Sequence, residues 1–346
     1  MTVESRFSTK QLAPQQRFDV WRESIAVLYD VELDAGLPEE GFVADIHAYL
    51  YEDLMIARTR TSAQRYRRDG VRIAQDNVDH YMIQFFMKGS QRIRRGSRTI
   101  ESSTGDLMVH DLASEHVAES SYFDNLSLIM PRRVLEPLLH NPDSQHGRLL
   151  PTAQPMARIL SRHLQDLYDL APRLDAAERR RLNDVTASLV AATLNGSRED
   201  EVENAGAISA SSRLRAKRAI EARLNLPNIE INAIARAAGV SRASLYRLFE
   251  SYGGVRTYIR RRRLFKCLRD LTRAVHATRS ISEIAYDHGF TSEAHFSRTF
   301  KREFGLTPSE ARQGGNDGAA VRREILADPL VGDRDYEHWI AEALHY

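Results

Sequence analysis

The chain has 346 residues, of which 28% are charged and 42% hydrophobic, and its formal net charge is +2. This length exceeds one ordinary domain and allows a substantial buried core. The single cysteine excludes a disulfide framework and suits a reducing compartment. The first ten residues are polar, and no apolar run is long enough to cross a bilayer. We therefore expect a cytoplasmic protein with no membrane partner.

The N-terminal part begins with one amphipathic helix. Residues Arg17 to Leu28 place Phe18, Trp21 and Ile25 at helical spacing. From about residue 41 to 130 the pattern changes to short β-rich segments separated by glycine-bearing turns. The predicted strands are Phe42 to Tyr51, Leu54 to Thr61, His80 to Lys88, Gln91 to Ile100, Asp106 to His110 and Leu126 to Met130. Many short strands of this kind favour a small antiparallel β-barrel.

A small barrel can enclose a ligand, and the strand from Tyr81 to Phe86 would line its pocket. Alternate residues of a strand face opposite sides. Either Tyr81, Ile83 and Phe85 or the residues between them would therefore face the pocket. We take Tyr81, Ile83 and Phe85 as the ligand-binding candidates.

A catalytic barrel is the main alternative to a sensing one. A metal-binding barrel of this type needs a His-X-His pair with a nearby carboxylate, because two imidazoles on one strand face ligate one ion. His80, His110 and His116 are scattered, and Asp111 and Glu115 do not complete that spacing. There is no glycine-rich phosphate loop and no nucleophile elbow. We expect no metal, no cofactor and no enzymatic activity.

Two helices are predicted between about residues 152 and 195, with a turn at Pro172 between them. Their apolar stripes are Met156, Leu160, Leu164, Leu167 and Leu170 in the first helix, and Leu182, Val185, Leu189 and Ala192 in the second. Such a pair can pack against the barrel or against the same pair in a second copy, and we expect a homodimer. Residues 196–211 are polar and acidic, which is typical of a linker.

The C-terminal third repeats one unit at a fixed offset. The first copy contains Ile231, Ile234, Ala235, Gly239, Leu245, Arg247 and Phe249, and the second contains Ile281, Ile284, Ala285, Gly289, Phe296, Arg298 and Phe300. Residues up to the glycine are shifted by 50 and the later ones by 51. An internal repeat indicates one supersecondary unit built twice. The extra residue is an insertion in the second turn.

Each copy has the pattern of a helix-turn-helix. In the first copy, apolar residues recur at helical spacing from Ile231 to Ala238, and Gly239 suits the left-handed end of a helix. Ser241 can cap the next helix, predicted from Arg242 to Ser251.

In the second copy, Ser280 and Glu283 have the spacing of a capping box. Gly289 ends that helix, and Thr291 or Ser292 caps a helix from Glu293 to Phe304. Both copies therefore predict two short helices joined by a tight turn.

Arg247 and Arg298 lie two residues beyond the inward-facing Leu245 and Phe296, so both point away from the core. The second helix of a helix-turn-helix enters the major groove. An arginine there can donate two hydrogen bonds to guanine, a contact worth about 1–3 kcal/mol of base discrimination. Contact with phosphate or water alone is the alternative.

The residues between the copies form a stiff, basic connector. One helix is predicted from Thr257 to Arg273, with a basic run from Arg260 to Arg263. Residues 208–313 contain 21 lysines and arginines against 9 aspartates and glutamates, a net charge of +12. The whole chain carries +2, so the remainder carries about −10. A basic module on an acidic body is typical of nucleic-acid binding.

The residues from Ser280 to Pro308, SISEIAYDHGFTSEAHFSRTFKREFGLTP, resemble the signature of AraC/XylS-type transcriptional regulators, and the resemblance extends from about Ser212 to Arg312. It implies two helix-turn-helix subdomains that are joined by a linker helix and bind adjacent major grooves. Carried over by position, the base-contact candidates are Arg242, Ala243, Tyr246 and Arg247 in the first subdomain, and Ser292, Glu293, Ala294, His295 and Arg298 in the second. Glu293 can accept from a cytosine amino group or repel phosphate.

The N-terminal part resembles the cupin-like ligand domain of a subgroup of these regulators. The pieces that carry this resemblance are YMIQFFMKG from Tyr81, GDLMVHD from Gly105 and MPR from Met130. The resemblance implies a small-molecule effector, contact with RNA polymerase, and activation rather than repression.

The sequence therefore predicts an α+β chain: a cupin-like antiparallel β-barrel with flanking helices, then an all-α module of two helix-turn-helix subdomains. The predicted divisions are 1–195 for ligand binding and dimerisation, 196–211 for the linker, 212–313 for DNA binding and 314–346 for a C-terminal extension. In that extension a helix around Tyr336 to Leu344 would pack Trp339 and Ile340 back on the protein.

We expect a ligand-responsive regulator of promoter DNA. Two alternatives remain: a cupin-type enzyme fused to a DNA-docking module, and an architectural DNA-binding protein without effector control. A DNA-alkylation repair protein would need several reactive or zinc-bound cysteines, and the single Cys267 argues against it.

Overall fold

The computed structural model describes residues 3–33, 41–69, 72–73, 78–95, 98–140, 142–196, 207–272, 278–313 and 331–341. The chain forms two compact units. The first combines residues 1–196 with 323–346, and the second comprises residues 197–322. In sequence, the second unit is therefore an insertion between two segments of the first. Most of the predicted linker and residues 314–330 lie outside the described residues.

The first unit contains two antiparallel β-sheets. Their strands are β1 (Glu4–Ser8), β2 (Asp30–Leu33), β3 (Ala44–Leu50), β4 (Met55–Thr61), β5 (Gln64–Arg68), β6 (Tyr81–Lys88), β7 (Gln91–Arg95), β8 (Arg98–Ser102), β9 (Asp106–Asp111), β10 (His116–Ser120), β11 (Phe123–Met130) and β12 (Arg148–Pro151). One sheet has the order β1-β3-β4-β11-β6-β9-β12, and the other has the order β2-β5-β10-β7-β8. Among the described strands the sheets have open edges and do not close into one barrel.

The predicted strands are all present, but five others were missed: β1, β2, β5, β10 and β12. The predicted strand from Gln91 to Ile100 is a hairpin of β7 and β8. Strand β5, with the sequence QRYRR, shows why pattern analysis failed here, because arginines alternate with residues that become buried. The fold consequently extends beyond the predicted barrel limits of 41–130 at both ends.

Strand β11 lies between β4 and β6 and is buried along its whole length. Leu128 is opposite both Ile56 and Ile83 in the ladder. Side chains alternate across a strand, so β11 supplies two cores. Phe123 and Ile129 belong to the core between the sheets. The other face of β11 belongs to a second core, under a pair of helices.

The helices of the first unit are α1 (Pro14–Ile25), α2 (Arg132–Leu135), α3 (Pro155–Leu170) and α4 (Ala176–Asn195). Helix α3 buries Leu160, Leu164 and Leu167 against the seven-stranded sheet. The predicted stripe of α3 therefore packs within the chain, except at its exposed ends. The buried face of α4 runs through Ala187, Val190 and Leu194 instead of the predicted Val185 and Ala192.

The C-terminal helix α11 (Asp335–Ala341) belongs to the first unit. Before it, Gly332 forms a bridge with Phe7 of β1, and Ser8 N donates to Val331 O at 2.9 Å. Trp339 and Ile340 are buried in the core between the sheets. The end of the chain thus adds side chains to the core of its beginning.

The second unit consists of helices. They are α5 (Ala207–Glu221), α6 (Ile231–Ala238), α7 (Arg242–Leu248), α8 (Val255–Thr272), α9 (Ile281–Asp287) and α10 (Glu293–Phe304). Helix α5 begins inside the predicted linker, and α7 is shorter than the predicted helix because a 3-10 turn follows it at Glu250–Tyr252. Of the predicted linker helix, only Arg273 lies outside the described residues.

None of the described helices of either unit has a stretch both long and apolar enough to cross a membrane.

The buried C-terminal helix leads to a stability prediction. Trp339→Ala should lower the free energy of unfolding of the first unit by about 3–5 kcal/mol, because it leaves a large cavity in the core. Both tryptophans of the chain lie in this core, so the fluorescence of the remaining Trp21 during urea unfolding reports on this unit. An exposed residue of the same unit is the control: Arg162→Ala on α3 should change stability by no more than about 0.5 kcal/mol. Equal effects of the two substitutions would contradict the packing of α11.

Candidate functional site

The first helix-turn-helix comprises α6 and α7. Gly239 ends α6 with φ = 69°, in the left-handed region. Arg215 of α5 donates through Nε and Nη2 to Ala238 O, at 3.0 and 2.9 Å. Ser241 then caps α7, since its Oγ accepts a hydrogen bond from Ser244 N at 3.1 Å. These contacts define the turn and the start of the second helix.

The second helix-turn-helix comprises α9 and α10. Glu283 N donates to Ser280 Oγ at 3.1 Å, and Ser280 N donates to the Glu283 carboxylate at 2.7 Å, which is the predicted capping box. Gly289 has φ = 77°. Ser292 caps α10 by accepting a hydrogen bond from His295 N at 3.3 Å. The two copies therefore share their turn geometry as well as their sequence pattern.

The residues nominated for base contact all have exposed side chains. They are Arg242, Ala243, Tyr246 and Arg247 in the first subdomain, and Ser292, Glu293, Ala294, His295 and Arg298 in the second. The opposite faces are buried, with Leu245 and Phe296 at their centres. The exposed faces of α7 and α10 are those that a major groove would meet.

Two of these side chains on α7 are held by neighbours on the same helix. The Arg242 guanidinium lies 5.8 Å from the centroid of the Tyr246 ring, and its hydrogen bond lowers the pKa of Tyr246 below the usual value. Arg247 Nη2 donates to Ser244 Oγ at 3.1 Å. Both arginines are thus partly oriented before any ligand is present.

Arg263 of α8 joins the two subdomains. Its Nε donates to Leu224 O at 3.0 Å, and its Nη2 donates to Leu226 O, both in the segment before α6. Its Nη1 donates to Gly289 O in the second turn, at 2.8 Å. One half-buried guanidinium therefore binds backbone carbonyls of both subdomains.

Two more arginines of the basic run also have partners within the module. Arg261 Nε donates to the carboxylate of Glu303 on α10 at 2.5 Å, and Arg262 Nε donates to that of Glu221 on α5 at 2.6 Å. The sequence showed the charge of this run but not its partners, which lie about 40 residues away. Three of the four arginines of the run therefore have hydrogen-bond partners within the module.

The linker helix also contacts the second subdomain through buried polar groups. His288 Nε2, at the end of α9, lies 2.7 Å from Asp270 Oδ2. Cys267 is fully buried and its Sγ lies 3.9 Å from Ile284 O. Burial raises the pKa of Cys267 well above the usual value. The reactive thiolate form is therefore disfavoured while the side chain stays buried.

A groove beside α10 is lined by Arg256 and Arg260 of α8 together with His295. It contains about 950 Å³ of space not filled by atoms, its open mouth included. A basic groove next to the exposed second helix of a helix-turn-helix is suited to hold DNA phosphates.

The first unit contains a cavity between its two sheets. The space inside it that the centre of a water molecule can reach is about 60 Å³. Both sheets line it, and so do α1 and α11 through Trp21, Ile25, Tyr336 and Ile340. Sites for small molecules are typically concave and mostly apolar. This cavity is the candidate ligand site.

The predicted ligand residues lie on the other side of β6. Tyr81, Ile83 and Phe85 pack in the core under the helix pair, whereas the alternate residues Met82 and Gln84 line the cavity. Both faces of β6 are apolar and buried. Its pattern therefore could not show which face meets the cavity, and only the packing of α3 and α4 decided it.

Three histidines lie next to each other, and one of them, His116, lines the cavity. The ring centroids of His110 and His116 are 5.3 Å apart, and that of His146 is 5.0 Å from His116. The sequence showed His110 and His116 as scattered, because the packing of one sheet against the other is not visible in it, and it gave His146 no role. Among the described residues, no group of three His, Cys, Asp or Glu side chains has the geometry to hold a metal ion.

The histidine cluster is uncharged at neutral pH. Burial, reinforced by His116 and His146, lowers the pKa of His110 well below its usual range. Burial and the neighbouring His146 lower the pKa of His116 to about 3. Asp111 N donates to His146 Nδ1 at 3.2 Å, so that nitrogen carries a lone pair.

These features define a class of protein: a ligand-cavity unit joined to a double helix-turn-helix module. Residues 21–195 match the AraC-binding-like domain family, and residues 234–314 match a helix-turn-helix domain family. The first match covers half of the chain. The chain belongs to the AraC family of transcriptional regulators.

Named relatives support this assignment. The chain is 26% identical to the transcriptional activator NphR of Rhodococcus sp over 300 residues, which are 85% of this chain and 88% of that protein. It is 40% identical over 88 residues to the XylDLEGF operon transcriptional activator of Pseudomonas putida, covering 24% of this chain and 26% of that one. The solved structure of the AraC-like transcriptional activator CuxR superposes with a TM-score of 0.54 and 29% identity, over 75% of this chain and 94% of that chain.

Arg263 clamps the second turn, because its guanidinium donates both to Gly289 O and to Leu226 O. This contact predicts different effects of substitution at the two turn glycines. A Cβ on Gly289 would lie 2.6 Å from Arg263 Nη2 and 2.8 Å from Leu226 O. A Cβ on Gly239 would meet only Arg215 Nη2, at 3.5 Å. Gly239→Ala should therefore show only the cost of the left-handed backbone, about 1–2 kcal/mol, whereas Gly289→Ala should cost more and loosen the second subdomain.

The buried Cys267 measures this effect, because it is the single cysteine and lies at the interface of α8 and α9. Its labelling rate with a thiol reagent should rise strongly in Gly289→Ala and little in Gly239→Ala. Equal labelling rates in the two variants would contradict the clamp.

The uncharged histidines predict a pH dependence of stability. Histidines in the unfolded chain take up protons near pH 6.5, whereas His110 and His116 remain neutral in the folded unit until much lower pH. The free energy of unfolding of the first unit should therefore be constant above about pH 6.5 and fall below it, by up to about 1.4 kcal/mol per pH unit for each group.

Tryptophan fluorescence during urea unfolding between pH 5 and pH 7 gives the slope, with the exposed, non-titrating Gln154 as the control. His110→Gln should reduce the slope, and Gln154→Asn should leave it unchanged. The same slope in wild type and His110→Gln would show that His110 does not titrate in this way.

Proposed function

We propose that this chain is a ligand-responsive transcriptional activator that inserts α7 and α10 into two adjacent major grooves of promoter DNA. The observation that carries the proposal is the fixed pairing of two equivalent helix-turn-helix subdomains, each with an exposed arginine at the same position. Arg263 holds both subdomains through hydrogen bonds to their backbones. Such a frame keeps the two helices at a constant separation, as two successive grooves require.

Base contact is assigned to the exposed faces of these helices. Arg247 and Arg298 would donate to guanine, and Tyr246 and His295 would contact neighbouring base edges. Arg247 is already oriented by Ser244, which favours a defined contact over a diffuse one. Glu293 is placed at the start of α10, where it can accept from a cytosine amino group.

Phosphate contact is assigned to the basic groove beside α10. Arg256 and Arg260 line the groove beside α10. The positive charge of the chain is concentrated in this module, which has a net charge of +12 over residues 208–313. Binding of phosphates by arginines releases counterions, so affinity for any DNA should fall with rising salt.

The ligand is assigned to the cavity of the first unit, and its binding would shift the population that is competent to activate transcription. NphR and the XylDLEGF operon protein are named activators, which supports activation and contact with RNA polymerase.

We also propose a homodimer through α3 and α4, since Ile159 and Val185 of these helices are more than half exposed. We propose a cytoplasmic location, because a regulator of this kind must reach its promoter DNA. Membership of a regulator family favours sensing over catalysis in the cavity.

The central prediction concerns the two equivalent arginines. A binding site is first selected from a random duplex library with the wild-type protein, and affinities are then measured by fluorescence anisotropy at several salt concentrations. Arg247→Ala and Arg298→Ala should each weaken binding to the selected duplex by about 1–3 kcal/mol, with a smaller loss on random DNA.

Arg302→Ala is the matched control, because Arg302 is exposed on the same helix as Arg298 but one turn later. It should leave the ratio of specific to random affinity unchanged. Equal losses on selected and random DNA for Arg247→Ala and Arg298→Ala would reduce both to phosphate contacts. Failure of the library to yield any preferred sequence would refute the proposed function.

A further inference from the structure

The cavity of the first unit has an uncharged lining. Its described lining residues include no Asp, Glu, Lys or Arg. The one titratable group of the usual physiological range is His116, whose pKa burial lowers to about 3. Aromatic rings form much of the wall: Trp21, Tyr29, Tyr66, Phe123 and Tyr336. A ligand that enters this cavity loses water and gains no opposite charge.

Two carbonyl oxygens in this lining lack a donor. Gln84 is 8% exposed and Gln91 is 5% exposed, and no described residue donates to Oε1 of either side chain. A buried acceptor without a donor is destabilising, because it has lost its hydrogen bonds to water. Both side chains line the cavity, so a bound molecule can satisfy the two acceptors when the carboxamides turn toward it.

The orientation of Gln84 is set by a hydrogen-bond chain. Gln84 Nε2 donates to Ser127 Oγ at 3.2 Å, and Ser127 Oγ donates to Asn125 Oδ1 at 3.3 Å. Ser127 also lines the cavity. Because the amide nitrogen is used within the protein, the carbonyl oxygen is the group left for a ligand.

His116 adds a further acceptor to the lining. Its Nδ1 lies 3.3 Å from Ser114 O, and a carbonyl can only accept, so Nδ1 carries the proton. The neutral ring then has its lone pair on Nε2. The polar groups that line the cavity therefore include acceptors from three strands, β6, β7 and β10.

We propose that the cavity binds an uncharged, largely apolar small molecule, of the aromatic-ring type, which donates hydrogen bonds to Gln84 and Gln91. This proposal deepens the proposed function, on which it rests, by naming the chemical class of the effector. The C-terminal helix is part of the site, because Tyr336 and Ile340 line the same cavity.

The lining disfavours charged ligands. A carboxylate would be buried without a cation and beside two carbonyl oxygens, and burial of an unpaired charge is strongly unfavourable. An ammonium group would find acceptors but no carboxylate among the described lining residues. A neutral hydroxyl or amide N–H satisfies the acceptors at no such cost.

The test uses four probes built on one benzene ring: phenol as a neutral donor, anisole as an acceptor only, benzoate as an anion and benzylamine as a cation. Trp21 lines the cavity, and the second tryptophan lies in the same core, so tryptophan fluorescence of the full-length chain reports binding. Phenol should give saturable quenching at millimolar concentrations, with an affinity roughly three- to tenfold above that of anisole. Benzoate and benzylamine should bind more weakly than phenol.

Gln84→Leu and Gln91→Leu remove the acceptors at nearly constant size. Each should reduce the ratio of phenol to anisole affinity by roughly three- to tenfold, while anisole affinity stays the same or rises. The exposed Gln154→Leu is the control and should leave the ratio unchanged. Loss of an unsatisfied buried acceptor should keep or raise the melting temperature of the free protein. Should Gln84→Leu not fold, Gln84→Met and Gln91→Leu provide the same comparison.

Tighter binding of benzoate or benzylamine than of phenol would overturn the proposal. So would an unchanged phenol to anisole ratio in both variants, or the absence of saturable quenching by phenol. DNA affinity of the same samples is measured in parallel. Intact sequence preference with a failed probe series would refute the ligand class alone, whereas loss of all sequence preference would refute the proposed function.

Discussion

The DNA-binding module depends on one guanidinium. Arg263 lies on the connecting helix and donates to carbonyls of the first subdomain and to Gly289 O of the second. A single planar group with several donors in a rigid fork can hold two backbones in fixed geometry, whereas the donors of a lysine rotate. Ion pairs of Arg261 and Arg262 with Glu303 and Glu221 reinforce this arrangement. The spacing of the two recognition helices is therefore an internal property of the module, present before it meets DNA.

The first unit is organised on a different principle, in which polar groups are buried without charge. Gln84, Gln91 and the histidine cluster lie in or beside the cavity, and the pKa of His116 is lowered to about 3. A ligand site of this kind would be selective, because a molecule that leaves the acceptors unsatisfied would gain only apolar contact. The C-terminal helix lines this cavity, while the DNA-binding module lies before it in sequence. The two segments of the first unit thus flank the module in the chain.

The sequence predicted the DNA-binding module in more detail than the ligand unit. A repeat with glycines, caps and apolar residues at matching positions specifies its structure locally, and α10 has the predicted bounds. The same local patterns predicted the exposed faces of both recognition helices. In the ligand unit most strands between residues 41 and 130 were recognised. Strand β5 was missed because arginines alternate with its buried residues, and β10 was missed because it buries His116 and Ser120 and exposes Val117. The position of His146 beside His110 and His116 had no local signal at all.

What the sequence determined by itself was therefore whatever depends on neighbours in the chain: helix caps, turns, the repeat and the charge of the module. Only the tertiary structure decided which face of β6 meets the cavity and that α11 completes the core of the first unit. It also decided that most arginines of the basic run bond to partners within the module. These features depend on partners far apart in sequence. A strand that is apolar on both faces, or an arginine without its acceptor, carries no local mark of the surface it will contact.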